Sequence, residues 1–313
     1  MSTSLRPPRD EDLHLVYEIV AADDCNELGK PDLDESDITE WWSMPHHDRA
    51  RDAWILERDG TAVGYGFTHD RNREGKFATD VWVVDEADEE GFDTLLAAAS
   101  GRARELAEEQ ASDKRQLVTW SVVGRAVRAQ WLAARGFAKV RRFYRMEIEL
   151  AEATAPSLAA GVTITAVGTD EADRRTFHQL MQSAFVDHWG YAPVDYDTWL
   201  ARVSASPNLD WETVWIARLD GVPAAGLKMR LYDDIAFIDT VGTLKEHRSS
   251  GLGSALLRTA FAESLRRGQP RVELGVDTEN ESGAVAVYEK AGMSVAFAHD
   301  EWLLDLAPAA FEL

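Results

Sequence analysis

The sequence predicts an α/β protein made of two tandem copies of one fold, and three observations carry that expectation. The chain has 313 residues, about twice an ordinary domain of ~150. Three stretches recur in the same order. "AWILERDG" (53–60) returns as "VWIARLDG" (214–221), setting Trp54 on Trp215 and Gly60 on Gly221. "DVWVVDEADEEGFDTLL" (80–96) lies on "TVGTLKEHRSSGLGSALL" (240–257), with Gly91 on Gly251, and "RQLVTWSVVGRAVRAQWLAARGF" (115–137) lies on "RVELGVDTENESGAVAVYEKAGM" (271–293). Between the copies, "AEATAPSLAAG" (151–161) has the small-residue and proline composition of a linker. The expected domains are therefore 1–150 and 162–313, joined by 151–161.

Each copy reads helix, helix, hairpin, strand, helix, strand, helix, strand. In the second copy a strand is expected over 162–167, helices over 171–185 and 195–204, and strands over 213–219 and 223–232. "RLDGVPA" marks the hairpin, with Asp220 and Gly221 at its turn. A strand follows over 235–244, then a helix over 251–267, a strand over 271–276, a helix over 281–291 and a last strand near 295–305. The 251–267 helix carries an apolar stripe at Leu252, Ala255, Leu256, Thr259, Ala262 and Leu265, and Gly268 and Pro270 close it. This hairpin-rich start is not the strict alternation of a doubly wound sheet.

Composition narrows the function. Hydrophobic residues make up 45% and aromatics 9% of the chain, enough for sizeable cores. Formal charge is −22, from 55 acidic against 33 basic residues, a field that repels nucleic acid. No run reaches the ~18 apolar residues of a membrane span, and "MSTSLRPPRDEDLH" has no apolar secretion signal, so a cytoplasmic chain is expected. Cys25 is the single cysteine, which excludes a disulfide framework, and its aspartate neighbours suit a structural rather than nucleophilic role. "PHHD" (45–48) lacks the spacing of a zinc site and reads as a polar loop, so no metal is expected.

The residues before the 251–267 helix carry the chemistry. A helix N-terminus leaves backbone N–H groups unpaired at the positive end of the peptide dipoles. Gly251 and Gly253 clear side chains from those donors, Ser249, Ser250 and Ser254 add hydroxyls, and Arg248 adds a full charge. The set suits an anion such as a pyrophosphate. It is not a nucleoside-triphosphate loop, which needs Gly-Lys followed by Ser or Thr. Nor is it a dinucleotide fingerprint, since Leu256 stands at the third glycine.

Arg248-Ser-Ser-Gly251-Leu-Gly253 resembles the Arg/Gln-x-x-Gly-x-Gly/Ala coenzyme A signature of the GNAT acetyltransferase superfamily. "VDTENESGAVAVYEKAGM" resembles that superfamily's second signature through Asn280, Ala284, Tyr288 and Gly292. The tandem layout, with "AFVDHWGYAP" after the first helix of the second copy, is similar to actinobacterial mycothiol-synthase-like acetyltransferases. The resemblance implies two GNAT-like domains, each a mixed, mostly antiparallel sheet flanked by helices, with a splayed parallel strand pair at the acyl-CoA site. It implies acetyl-CoA as co-substrate and a primary amine of a small molecule as acceptor. Val241 and Thr243 would pair with the pantetheine arm, Arg248 through Ser254, including Leu252, would take the pyrophosphate, and Asn280 and Ala284 would help hold the coenzyme. Gly242 stands where the family often has a strand bulge, and Tyr288 would protonate the departing thiolate.

The pattern is broken at one catalytic position: Phe237 stands where many members carry a glutamate base. Asp239 lies two residues on, on the same strand face, and desolvation would raise its pKa toward a useful range. His188, Trp189 and Tyr191 would shape the acceptor cleft, and Asp187, Asp195 and Asp197 would suit a cationic amine. In the first copy Asp88 replaces Arg248, amid Asp85, Glu86, Glu89, Glu90 and Asp93 with no basic residue among them. Each like charge at ~4 Å costs on the order of 4 kcal/mol at an effective dielectric near 20, against ~1 kcal/mol from a helix dipole. Asp93 also replaces Gly253 and Leu132 replaces Tyr288, so the first copy is expected not to bind coenzyme A. Two other readings stay open: transfer of a longer acyl group or to a hydroxyl, and a non-catalytic acyl-CoA sensor. Monomer and homodimer both fit the sequence.

Overall fold

The computed structural model describes residues 2–70, 73–153, 155–280 and 283–306. Two compact units emerge: Met1–Arg141 with His299–Leu313, and Arg142–Ala298. No helix among the described residues is long and apolar enough to cross a membrane.

The first unit runs β1 (Thr3–Arg6), α1 (Leu13–Leu28), α2 (Glu35–Trp42), α3 (Arg49–Asp52), β2 (Ala53–Arg58), β3 (Thr61–His69), β4 (Lys76–Val83), α4 (Glu89–Glu109), β5 (Gln116–Val122) and α5 (Ala126–Ala134). The chain continues through β6 (Ala138–Glu149), β7 (Val162–Ala166), α6 (Glu171–Phe185), α7 (Tyr196–Ser204), β8 (Leu209–Leu219), β9 (Val222–Leu231) and β10 (Ile235–Thr243). It ends in α8 (Leu252–Arg266), β11 (Arg271–Asp277), α9 (Ala284–Lys290) and β12 (Ser294–Asp305). Both hairpins turn through residues of positive φ, Asp59 with Gly60 and Asp220 with Gly221, the backbone that a two-residue turn of this hand requires.

Each unit takes its last strand from the other repeat. In the first unit the order is β1-β2-β3-β4-β5-β12, with His299 opposite Val122 and Asp305 opposite Gln116. In the second it is β6-β11-β10-β9-β8-β7, with Phe143 opposite Asp277 and Glu149 opposite Arg271. Local periodicity does not encode this exchange, because both strands have ordinary strand patterns wherever they pair. All pairings within each unit are antiparallel except β4–β5 and β10–β11.

The second unit's core packs α8 beneath the sheet, where Leu252, Leu256, Leu257, Ala260 and Phe261 meet Leu227, Ile238, Val272 and Leu274. The buried stripe of α8 is rotated from the expected one. Leu257, Ala260 and Phe261 go inside, while Ala255, Thr259, Ala262 and Leu265 are only partly covered, because the larger side chains bury more apolar area. On another cluster, Phe177, Leu180 and Met181 of α6 pack against Val214 and Ile216.

Strands β10 and β11 run parallel only from Ile235 opposite Arg271 to Ile238 opposite Leu274. There the β9–β10 register slips between Ile238 and Thr240, so Asp239 is the bulged residue. The bulge expected at Gly242 is therefore three residues early. Gly242 pairs regularly with Gly226 and is glycine for another reason: a Cβ would lie 3.0 Å from Ala184 and Phe185 of α6.

Candidate active site

Beyond the bulge, β10 leaves β11 and a cavity of about 610 Å³ opens in the second unit, within the size range of small-molecule sites. β10 lines it with Asp239, Thr240, Val241, Gly242 and Thr243, and β11 with Leu274 through Asp277. The start of α8 adds Arg248, Ser249, Gly251, Gly253 and Ser254, and the α9 side adds Asn280, Ala284, Val287 and Tyr288. Phe143, Phe185 and Lys290, which the motifs did not single out, also face it.

The loop entering α8 keeps its donors toward this space. Ser249 has φ 65° and Gly251 φ 83°, a left-handed cap that only glycine adopts readily. The first bond into the helix is Ala255 N–H to Gly251 C=O at 3.0 Å, so the N–H groups of Leu252, Gly253 and Ser254 have no acceptor within it. A Cβ on Gly253 would touch only Thr243 Oγ1, at 3.7 Å, so the protein's own packing does not demand glycine there. The Arg248 guanidinium has no ion pair or hydrogen bond among the described residues. Two members of the expected set point elsewhere: Ser250 Oγ donates to His247 C=O at 2.6 Å, and the Leu252 side chain is in the core.

Tyr288 is buried on α9, and desolvation pushes its phenol up to about 12. Its hydroxyl has no protein partner among the described residues. Asp239 departs from its expected state. Its carboxylate meets Lys228 Nζ at 3.0 Å and Arg230 Nε at 2.8 Å. Burial alone would raise its pKa, but the two cations outweigh it and hold the carboxylate below the usual range. A carboxylate so paired is a weak proton acceptor at neutral pH.

The loop after α6 separates in the same way. His188 lines the cavity, half-buried. Trp189 is 49% exposed and outside the lining, and Tyr191 donates its hydroxyl to Gln182 Oε1 at 2.6 Å, fastening the loop to α6. Of the acids expected to draw a cationic acceptor, Asp187 faces Lys245 at 3.4 Å and Asp195 caps α7. Cys25 is exposed on α1. "PHHD" lies in the loop between α2 and α3, with the His47 ring buried against Phe67 and neither of its nitrogens hydrogen-bonded among the described residues. No group of three or more potential metal ligands occurs among the described residues.

Residues 174–293 match the acetyltransferase (GNAT) family. A mycothiol acetyltransferase of Corynebacterium efficiens is 32% identical over 55% of this chain, which spans 60% of that relative's length. A second mycothiol acetyltransferase, from Streptomyces griseus, is 27% identical over 80% of this chain and 78% of its own. In fold, a GCN5-related N-acetyltransferase of Sphaerobacter thermophilus superposes with TM-score 0.83 at 21% identity, covering 97% of this chain and 95% of its own. A tandem GNAT protein from the clavulanic acid biosynthesis pathway superposes with TM-score 0.75 at 15% identity, covering 98% and 100%. The second repeat thus carries a GNAT-family match, and the chain shares the fold of tandem GNAT proteins.

In the first unit the matching positions are filled by its own side chains. Asp88, at the position of Arg248, caps α4 by accepting at 3.0 Å from the N–H of Gly91, the counterpart of the open Gly251. Arg128 Nη1 donates to Val81 C=O at 2.8 Å, and Arg128 Nη2 grips both oxygens of Asp23, at 2.7 and 2.6 Å. Asp23 in turn accepts from Val83 N–H at 3.2 Å. The acid cluster is also less bare than its sequence neighbourhood suggests. Arg58 meets Asp88 at 3.0 Å, and Arg135 pairs with Glu89 and Asp93. Those arginines come from β2 and the end of α5, distant in sequence but brought close by the fold.

Proposed function

We propose that the second unit transfers an acetyl group from acetyl-CoA to a primary amine of a small molecule. One observation carries the reading: a guanidinium and a tyrosine hydroxyl, both without a partner among the described residues, share a cavity with open helix N–H groups. Arg248, Ser249, Ser254 and the backbone of Gly251 to Ser254 receive the pyrophosphate. Val241 and Thr243, on a strand edge that has left its neighbour, pair with the pantetheine arm as an added strand. That places the thioester between Gly242 and Tyr288. The neutral Tyr288 phenol then donates to the departing sulfur. The curated relatives are acetyltransferases by name, and the anion-suited loop supports the same donor here.

The first unit, with Asp88 and Arg128 in the matching places, takes no coenzyme, so one site serves the chain. Calorimetric titration with acetyl-CoA tests this: one coenzyme per chain is expected, and two would reject the one-site reading. The pairing of Asp239 with Lys228 and Arg230 favours a second reading, a sensor that binds acyl-CoA without turnover. Thiol release across a panel of amines separates the two. Release supports transfer, and tight binding with no release supports the sensor.

A further inference from the structure

The cavity's chemistry lacks a base if Asp239 is held as an ion pair, and its lining offers few replacements. The titratable side chains that face it are His188, Asp239, Arg248, Asp277, Tyr288 and Lys290. Arg248 and Lys290 are cations, and the Tyr288 phenol, at about 12, keeps its proton. The Asp277 carboxylate already accepts from Glu279 N–H at 2.9 Å. His188 alone combines an imidazole with the absence of any side-chain hydrogen bond among the described residues.

Its position is fixed rather than loose. His188 N–H donates to Phe185 C=O at 2.9 Å, and its carbonyl accepts from Tyr191 N–H at 3.1 Å. The imidazole packs on the Phe185 ring at 4.3 Å between centroids. Phe185 Cε2 in turn lies 3.0 Å from where a Cβ on Gly242 would stand. One ring therefore separates the imidazole from the backbone where the thioester is proposed to sit. The charged groups around it are Arg248 ahead of α8, Asp277 at the end of β11 and Asp187 in its own loop. Burial and then Arg248 lower its pKa against the opposing pull of the two aspartates, so the imidazole is neutral at pH 7 and free to accept a proton.

Resting on the acetyl-transfer reading, we propose that His188 is the general base that takes the acceptor's proton. As the amine nitrogen bonds to the thioester carbon, the imidazole removes one N–H proton. The C–S bond then breaks, and the sulfur takes the Tyr288 hydroxyl proton. The imidazolium proton returns to the phenolate through cavity water. Amide and thiol are the products, and both residues end as they began.

The test compares the unaltered protein, His188→Gln and His188→Ala with acetyl-CoA and a panel of primary amines, reading thiol release from pH 5.5 to 9 and coenzyme affinity by calorimetry. The expected result is turnover on the order of a hundredfold lower in both variants at unchanged affinity for acetyl-CoA. The acidic limb of the pH profile is lost, and added imidazole restores part of the rate in His188→Ala. A variant with undiminished rate and the same acidic limb would overturn the assignment while leaving acetyl transfer intact. If the unaltered protein binds acetyl-CoA but releases thiol with no amine, the transfer reading falls and the base falls with it.

Discussion

Arg128 donates to the carbonyl of Val81 at 2.8 Å, and Val81 occupies in the first repeat the place that Val241 occupies in the second. In one copy that strand edge faces a cavity; in the other a guanidinium bonds to it. Duplication thus produced two outcomes from one scaffold, and a handful of side chains separates them.

Arg128 is 12% exposed and answers Asp23, 7% exposed, with Glu27 at 3.3 Å. Removing one partner of a buried pair strands the other charge at a cost of about 3–5 kcal/mol. Arg128→Ala should therefore lower the denaturation midpoint clearly while calorimetry still finds one coenzyme per chain. A second binding event in this variant would mean that Arg128 alone closes the first unit.

Arg248 presents the opposite case, a guanidinium with no partner to lose among the described residues. Arg248→Ala should leave the melting temperature within a degree or two and weaken acetyl-CoA binding by tenfold or more, since hydrogen bonds to charged groups contribute ~1.5–3 kcal/mol. Arg248→Glu should bring binding below detection. Unchanged affinity in the alanine variant would remove Arg248 from the pyrophosphate site.

Tyr288→Phe deletes a hydroxyl that nothing in the described protein uses. Coenzyme affinity and stability should hold, while turnover falls on the order of a hundredfold. A matching fall in affinity would recast Tyr288 as a binding residue.

What was legible follows from range. Helix α6 begins and ends where its Asp170 cap and apolar spacing place it, and the Asp220-Gly221 turn has the backbone its residue types imply. The loop before α8 was legible for the same reason: glycine, serine and arginine act there within a few residues of one another. Asp239 was misread because its partners Lys228 and Arg230 sit across the β9–β10 pairing, where a one-residue bulge decides what faces what. Arg58 and Arg135 were missed as neutralisers of the Asp88 region because neither lies near it in sequence. The exchange of β6 and β12 left no local trace, because a strand's pattern records burial and not its partner.

Burial pushes Asp24 up to about 7 from 3.8, although its Oδ2 accepts from the N–H groups of Asp32 and Leu33. The native state therefore keeps a proton that the unfolded chain releases near pH 4. Stability from this group is full below that point and is lost as pH rises through about 7, on the order of 1.4 kcal/mol per pH unit in between. Asp24→Asn keeps an acceptor oxygen and cannot ionise. It should be more stable than the unaltered protein at pH 8 and nearly equal at pH 4. Urea midpoints at the two pH values check this, and parallel curves for both proteins would refute it.

Gly251 and Gly253 lie two residues apart, and the fold treats them differently. Gly251 has φ 83°, so Gly251→Ala forces a left-handed backbone on a residue that resists it, at about 1–2 kcal/mol. Gly253 is inside α8, and its added Cβ would make one ordinary contact with Thr243 Oγ1 at 3.7 Å. In a helix, Gly→Ala is ordinarily stabilising by ~0.5–1 kcal/mol. Gly253 lines the cavity, and the coenzyme A signature admits alanine as well as glycine there, so a methyl group fits beside the coenzyme while a larger side chain would stand over the N–H donors. Gly253→Ala should thus raise the melting temperature slightly and leave acetyl-CoA binding nearly unchanged, whereas Gly253→Leu should weaken binding by tenfold or more. Thermal unfolding and calorimetry on the same preparation decide it. If Gly253→Leu binds acetyl-CoA as tightly as the unaltered protein, Gly253 does not clear space for the pyrophosphate; if Gly253→Ala loses stability, the strain lies in the helix start.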